Sequence, residues 1–203
     1  MAGPFIVRLN QADAITLCGL TFTLASLYAM LEHQFDLSVG LLLTASALDF
    51  VDGPVARALQ ISRNFGRYLD GFVDQLLYLV APALFLYLHG FTSTPELILI
   101  GLFVSSGVVR LSVFNEIGNI PDDIGNSAYL GMPVFWSAFM LMGLQMASWW
   151  IPVASLFGVI FVLIASYTVA MVYRRRFYKF QRWQAVSLTL LGAAVLFFVR
   201  ASI

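Results

Sequence analysis

Residues 124–173 run for 50 positions without one Asp, Glu, Lys or Arg. A soluble domain cannot hide such a length from water, whereas a bilayer accepts it. A helix crossing the hydrocarbon layer needs about 20 apolar residues, so the run is two crossings. Trp149, Trp150, Ile151 and Pro152 mark the break between them, with the indoles at a membrane interface. The same criterion finds crossings at 14–31, 37–59, 66–88, 97–114, 131–148, 152–173 and 183–199. Composition agrees: of 203 residues 60% are hydrophobic and 11% charged, and the mean hydropathy is +0.86. Eleven basic and eleven acidic residues cannot coat a chain of this size. The expected fold is all-α, a polytopic transmembrane bundle of six core helices and a C-terminal seventh, forming one membrane-embedded unit over residues 1–203. Residues 1–9 have too short an apolar run for a signal peptide. They are read as an interfacial helix offering Phe5, Ile6, Val7 and Leu9 to the membrane and Arg8 to headgroups.

Where so few charges go is informative. The formal net charge is zero, which argues against a nucleic-acid partner. A cytoplasmic N-terminus puts Arg8, Arg57, Arg63, Arg67, Arg110, Arg174, Arg175, Arg176, Lys179 and Arg182 on the cytoplasmic side, leaving only Arg200 outside. That predicts a multi-pass protein of the cell membrane. His33 and His89 fall in the outer loops as solvated or interfacial side chains. The one cysteine, Cys18, excludes an intrachain disulfide and a cysteine metal cluster.

Asp49, Asp52, Asp70 and Asp74 are the exception to this economy. Each Asp at bilayer depth costs about 2.5–3.5 kcal/mol, so four cost ~10 kcal/mol before repulsion among them. Asp49 and Asp52 are spaced i, i+3, and Asp70 and Asp74 i, i+4, so each pair lies on one face of its helix. The two helices are consecutive and antiparallel, which brings both pairs close to the same membrane edge. Such a cluster needs positive charge. Arg57, Arg63 and Arg67 could supply it as ion-pair partners. Alternatively, an all-oxygen donor set without Cys or His suits hard divalent ions, Mg²⁺ or Mn²⁺, with two ions bridged by shared carboxylates. The intervening residues favour the second reading. Gly53 and Gly66 each cost about 1 kcal/mol in a helix relative to alanine, and with the small Ala56 they let a ligand approach the backbone. Arg57, one turn beyond Gly53, offers a bidentate donor suited to phosphate.

Asp49, Asp52, Gly53, Ala56, Arg57, Gly66, Asp70 and Asp74 follow the pattern DxxDGxxAR, eight residues, GxxxDxxxD. Eight specified residues at roughly one in fifteen each have a chance probability of order ~10⁻⁹ at a given start. The pattern resembles that of the CDP-alcohol phosphotransferases, and Asp13 and Thr16 are similar to that family's N/D-x-x-T element. The resemblance implies transfer of a phosphatidyl group from CDP-diacylglycerol to the hydroxyl of a small alcohol, with release of CMP. It further implies two divalent ions, Mg²⁺ or Mn²⁺, on Asp49, Asp52, Asp70 and Asp74. Asp74 would also be the general base. Gly53, Ala56, Arg57 and Gly66 would line the CDP site, joined by Thr16, Ser62 and Asp13. A homodimer in the lipid bilayer is expected from the same resemblance.

The second half of the chain is similar to the phosphatidylserine synthase branch of that family. Arg110, Leu111, Phe114 and Asn115 resemble its RLxRFN element, and residues 129–133 its FxGLP element; Val113 stands where the first of these carries its second arginine. L-Serine is therefore the expected acceptor, with glycerol 3-phosphate, inositol or inositol phosphate, choline and phosphatidylglycerol as alternatives. Arg110, Asn115 and Arg67 are the candidates for holding the acceptor or a lipid phosphate. Asp122 and Asp123 are either solvated charges or a lid over the acceptor. A reading from another class makes the aspartates the ion path of a divalent-cation transporter.

Overall fold

The computed structural model describes residues 6–121, 127–178, 180 and 182–203. Its helices are α1 (Gln11–Leu31), α2 (Phe35–Ala58), α3 (Asn64–Leu88), α4 (Thr94–Ile117), α5 (Trp136–Ser148), α6 (Phe157–Val172) and α7 (Trp183–Ala201). A 3₁₀ turn, Val153–Leu156, leads into α6. With that turn, α6 joins α1, α2, α3, α4 and α7 as six segments long and apolar enough to cross a membrane. Their exposed side chains are those a bilayer would solvate, among them Leu24, Leu102, Val162 and Leu188.

Local sequence explains the helix limits. Asn10 caps α1 in a reciprocal box: its side chain accepts from the Asp13 N–H at 2.9 Å, and the Asp13 carboxylate accepts from the Asn10 N–H at 2.8 Å. Ser93 and Glu96 form the equivalent box on α4. Gly118, with φ +68°, ends α4. Small residues set the helix spacing: Gly19 of α1 faces the Ala45 carbonyl of α2, and Gly40 of α2 lies beneath Phe198 of α7. Buried hydroxyls tie the same surfaces, with Ser26 donating to the Ser38 carbonyl at 2.8 Å and Ser187 to the Ala47 carbonyl at 3.3 Å.

Three features depart from expectation. Residues 6–10 are bends and coil, so the described part of the expected interfacial helix is not helical; Asn10 is committed to capping α1. The fifth helix begins at Trp136, not at 131, and with 13 residues it is not among the segments long enough to cross, in contrast to the crossing expected at 131–148. Gly131 has φ +74° and passes close to the Met171 carbonyl, and Pro133 follows; the Tyr167 hydroxyl then engages the Pro133 and Val134 carbonyls at 2.8 Å each. These contacts hold the segment in irregular form. Third, a small antiparallel sheet, β1 (Ile120–Pro121), β2 (Ser127–Leu130) and β3 (Arg176–Tyr178), pairs Ile120 with Ala128 and Tyr129 with Phe177.

The antiparallel course collects the loops at two ends. At one end Asp36 accepts from Gln145 at 2.8 Å and from the Trp149 indole at 2.9 Å, and His89 packs 4.0 Å from both the Phe35 and Phe85 rings. Burial lowers the pKa of His89 below the ordinary imidazole value. The other end carries the start of α1, the α2–α3 turn, the end of α4 and the sheet.

Candidate active site

The turn between α2 and α3 is short, with Gln60 at φ +56°, and the Asn10 amide donates to the Ile61 carbonyl at 3.2 Å. It sets the two helices antiparallel with their aspartates facing. Asp49, Asp70 and Asp74 each present a carboxylate oxygen, and these three atoms lie within 4.8 Å of one another. Asp70 Oδ1 and Asp74 Oδ1 are buried without a hydrogen-bond partner. Orphaned hard oxygens of like charge form a donor set that fits a divalent cation.

Asp52 sits outside this tight group. Its Oδ2 accepts from the Thr16 hydroxyl of α1 at 2.5 Å. The arginine alternative is not realised: among the described residues, none of the four motif carboxylates forms an ion pair with Arg57, Arg63 or Arg67. Arg63 pairs instead with Asp13, which is 2% exposed and lies beside Gly66.

Two cavities open around the carboxylates. One, of about 660 Å³, is lined by Asp49, Asp74, Tyr78, Arg110 and Tyr129, with Phe135, Phe180 and Trp183 among its aromatic walls. The other, of about 390 Å³, is lined by Asp13, Thr16, Ala56, Ser62, Gly66 and Arg67, together with Asn10 and Arg63. Asp52, Gly53, Arg57, Asp70, Phe114 and Asn119 belong to both, and so form the shared wall. All seven residues expected to bind CDP thus line the smaller cavity. A Cβ on Gly53 would lie 3.4 Å from Arg57 Nη1, and one on Gly66 3.4 Å from Asp13 Oδ1. Glycine keeps those walls low.

Of the acceptor candidates, Arg110 lines the larger cavity and Arg67 the smaller. Asn115 lines neither; its side chain packs on Gly71, and its carbonyl accepts from Arg67 at 3.3 Å. Arg110 is 5% exposed, its guanidinium 5.1 Å from the Phe114 ring and 5.4 Å from the Tyr129 ring, with Nε lacking a hydrogen-bond partner. Burial, reinforced by the Asp49 charge, pushes the Tyr129 phenol up to about 12. Asp122, Asp123 and Lys179 lie outside the described residues.

Sequence reasoning missed Tyr78 and Asn119. Tyr78 was within reach, since it follows Asp74 by four positions and therefore shares its helix face. Asn119 stands in a short connection after Gly118, where no periodicity points to it.

The profile of the CDP-alcohol phosphatidyltransferase family matches residues 9–142, a stretch that contains both pairs of aspartates and most of the two cavity walls. The chain belongs to the CDP-alcohol phosphatidyltransferase family. It is 32% identical over 150 residues to the CDP-diacylglycerol–serine O-phosphatidyltransferase of Mycobacterium leprae, covering 68% of this chain and 49% of that protein. To the protein of the same name from Saccharomyces cerevisiae it is 31% identical over 154 residues, 68% of this chain and 54% of that one. The Bacillus subtilis counterpart is 33% identical over 129 residues, 62% of this chain and 67% of that protein. The chain therefore spans about half the length of the first two relatives.

Proposed function

We propose that this protein transfers the phosphatidyl group of CDP-diacylglycerol to the hydroxyl of a small polar alcohol, L-serine, and releases CMP. The observation that carries the reading is the pair of cavities meeting at a wall of carboxylates: a donor and an acceptor can meet there. The smaller cavity, with Arg57 and Arg67, Gly53, Ala56 and Gly66, the buried Asp13 and Thr16, and Ser62 at its exposed edge, suits a nucleotide diphosphate. The larger, with the buried Arg110 between aromatic rings, suits an acceptor that carries an anionic group, as serine does. The names of the relatives support serine.

Two divalent cations, Mg²⁺ or Mn²⁺, held by Asp49, Asp52, Asp70 and Asp74, would supply charge compensation at the diphosphate. The rest of the chemistry falls to side chains. Asp74, on the wall of the larger cavity, takes the proton of the acceptor hydroxyl. The hydroxyl oxygen forms a bond to the phosphatidyl phosphorus, and the bond from that phosphorus to the oxygen of CMP breaks, CMP leaving with the electron pair. Arg57 holds the phosphates bidentately, and Arg110 orients the acceptor. The acyl chains remain in lipid throughout.

The basic residues near the carboxylate end support a cytoplasmic N-terminus and site in the cell membrane. Homodimer formation rests on the family likeness. The test is to incubate purified protein with CDP-diacylglycerol, Mg²⁺ or Mn²⁺, and serine, inositol, glycerol 3-phosphate, choline or phosphatidylglycerol, and to identify the lipid product by mass. Phosphatidylserine is the expected product. A different lipid would reassign the acceptor, and no product with any acceptor would refute the transferase reading. Cation flux into proteoliposomes without lipid substrate would favour a transporter instead.

A further inference from the structure

The third span is not a uniform α-helix. Residues Leu76–Val80 form a π-helical turn between the α-helical segments Asn64–Gln75 and Ala81–Leu88. Such turns insert a residue, cost hydrogen-bond geometry, and recur at functional sites. Tyr78 stands at the middle of this one. It is 1% exposed, it lines the larger cavity, and its hydroxyl donates to Asp49 Oδ2 at 2.7 Å. Its carbonyl accepts from the Ser137 hydroxyl of α5 at 2.6 Å, so a second helix braces the turn from behind.

The aspartates of α2 and α3 differ in a way that gives this contact meaning. Both α2 carboxylates are tied by neutral hydroxyls from other parts of the chain, Asp52 by Thr16 and Asp49 by Tyr78. Both α3 carboxylates keep a buried oxygen unpartnered. A phenol fixes the carboxylate plane without cancelling its charge, which an arginine in the same place would do. Outer hydrogen bonds of this kind orient ligands and tune their affinity for metal.

We propose that Tyr78 is a positioning residue: from the π-turn, its phenol clamps one oxygen of Asp49 so that the other is held toward Asp70 and Asp74 for a divalent cation. The proposal rests on the reading of the carboxylates as a cation site. It assigns Tyr78 no contact with the reacting atoms.

The test is Mn²⁺ binding to purified protein in detergent without lipid substrates, followed by the electron paramagnetic resonance signal of free Mn²⁺. Tyr78→Phe removes one oxygen and keeps the ring, and the expected result is a 10- to 100-fold weaker affinity. The half-activating Mn²⁺ concentration for CMP release is expected to rise in parallel, with turnover recovered at saturating Mn²⁺. Ser137→Ala leaves the phenol in place and is the packing control, lowering the unfolding midpoint while changing affinity less than threefold. Should Tyr78→Phe not fold, 4-aminophenylalanine and 4-methylphenylalanine at position 78 form a matched pair, only the first retaining a donor. Equal Mn²⁺ affinity in unmodified protein and Tyr78→Phe, or in the matched pair, would overturn the proposal while leaving the cation site intact. Absence of Mn²⁺ binding by the unmodified protein would overturn the cation reading itself, and the proposal with it.

Discussion

Neutralising one carboxylate of the cluster should stabilise the protein while disabling it. In Asp74→Asn the side chain keeps its shape and loses its charge. The oxygens of Asp49, Asp70 and Asp74 lie within 4.8 Å of one another, so at an effective dielectric of about 20 each pair repels by at least about 3.5 kcal/mol. Asp74 takes part in two of the three pairs, so the repulsion it contributes is at least about 7 kcal/mol before water in the cavity screens it. A quarter of that, about 2 kcal/mol, moves the unfolding midpoint of a chain this long upward by ~4–8 °C. Little is lost in exchange, because Asp74 Oδ1 has no hydrogen-bond partner to forfeit, and the new amide can donate to the remaining carboxylates. The assay is thermal unfolding in detergent with a chelator and again with Mg²⁺ or Mn²⁺, beside CMP release. The metal-free variant is expected to unfold at a higher temperature than the metal-free parent, to gain less from added metal, and to lose about 10²–10⁴-fold in turnover with its general base. A lower midpoint with undiminished metal stabilisation would refute the electrostatic reasoning; retained turnover would refute the assignment of Asp74 as base.

Three further outcomes are expected. Arg110→Lys, which loses the planar fork and the stacking between Phe114 and Tyr129, should raise the KM for serine at least tenfold while the KM for CDP-diacylglycerol moves less than threefold; steady-state kinetics with each substrate varied decides it. Gly131→Ala forces a side chain into a positive-φ position against the Met171 carbonyl and should cost at least about 2 kcal/mol, seen as a lowered unfolding midpoint. Burial depresses the pKa of His89, so the unfolded chain binds the proton more readily, and its contribution is complete above the unfolded value of about 6.5 and is lost as pH falls through and below it. The midpoint of the parent relative to that of His89→Gln should fall between pH 8 and pH 5, the difference isolating this histidine from the other titrating groups.

How much of this was legible in the sequence depends on the range of the interaction. The six long spans were legible because hydropathy is a local property, and their ends move by at most about three residues, with Asn10 and Ser93 capping two of the extended starts. The three-carboxylate group was also legible, since the i, i+3 and i, i+4 spacings on consecutive antiparallel helices leave the side chains little choice but to meet. The start of α5 was obscured because the apolar residues 131–135 read as helix by hydropathy, although Gly131 and Pro133 argued otherwise. Strands of two to four residues carry no periodicity, so the sheet left no signal. Asp52 leaves the tight group because α1 packs on α2 and delivers Thr16 to it. Arg110 owes its setting to Tyr129, which a distant segment brings alongside. Those placements depend on tertiary packing, which spacing along one helix does not encode.

The central claim is that the carboxylate wall joins a nucleotide-linked lipid to an alcohol. It is tested most directly by following ¹³C-labelled serine and CMP together in lipid nanodiscs containing CDP-diacylglycerol. Labelled lipid and CMP should appear in equal amounts, stop when a chelator is added, and resume with Mg²⁺ or Mn²⁺. CMP release with no new lipid formed from any acceptor, or turnover indifferent to the chelator, would contradict it.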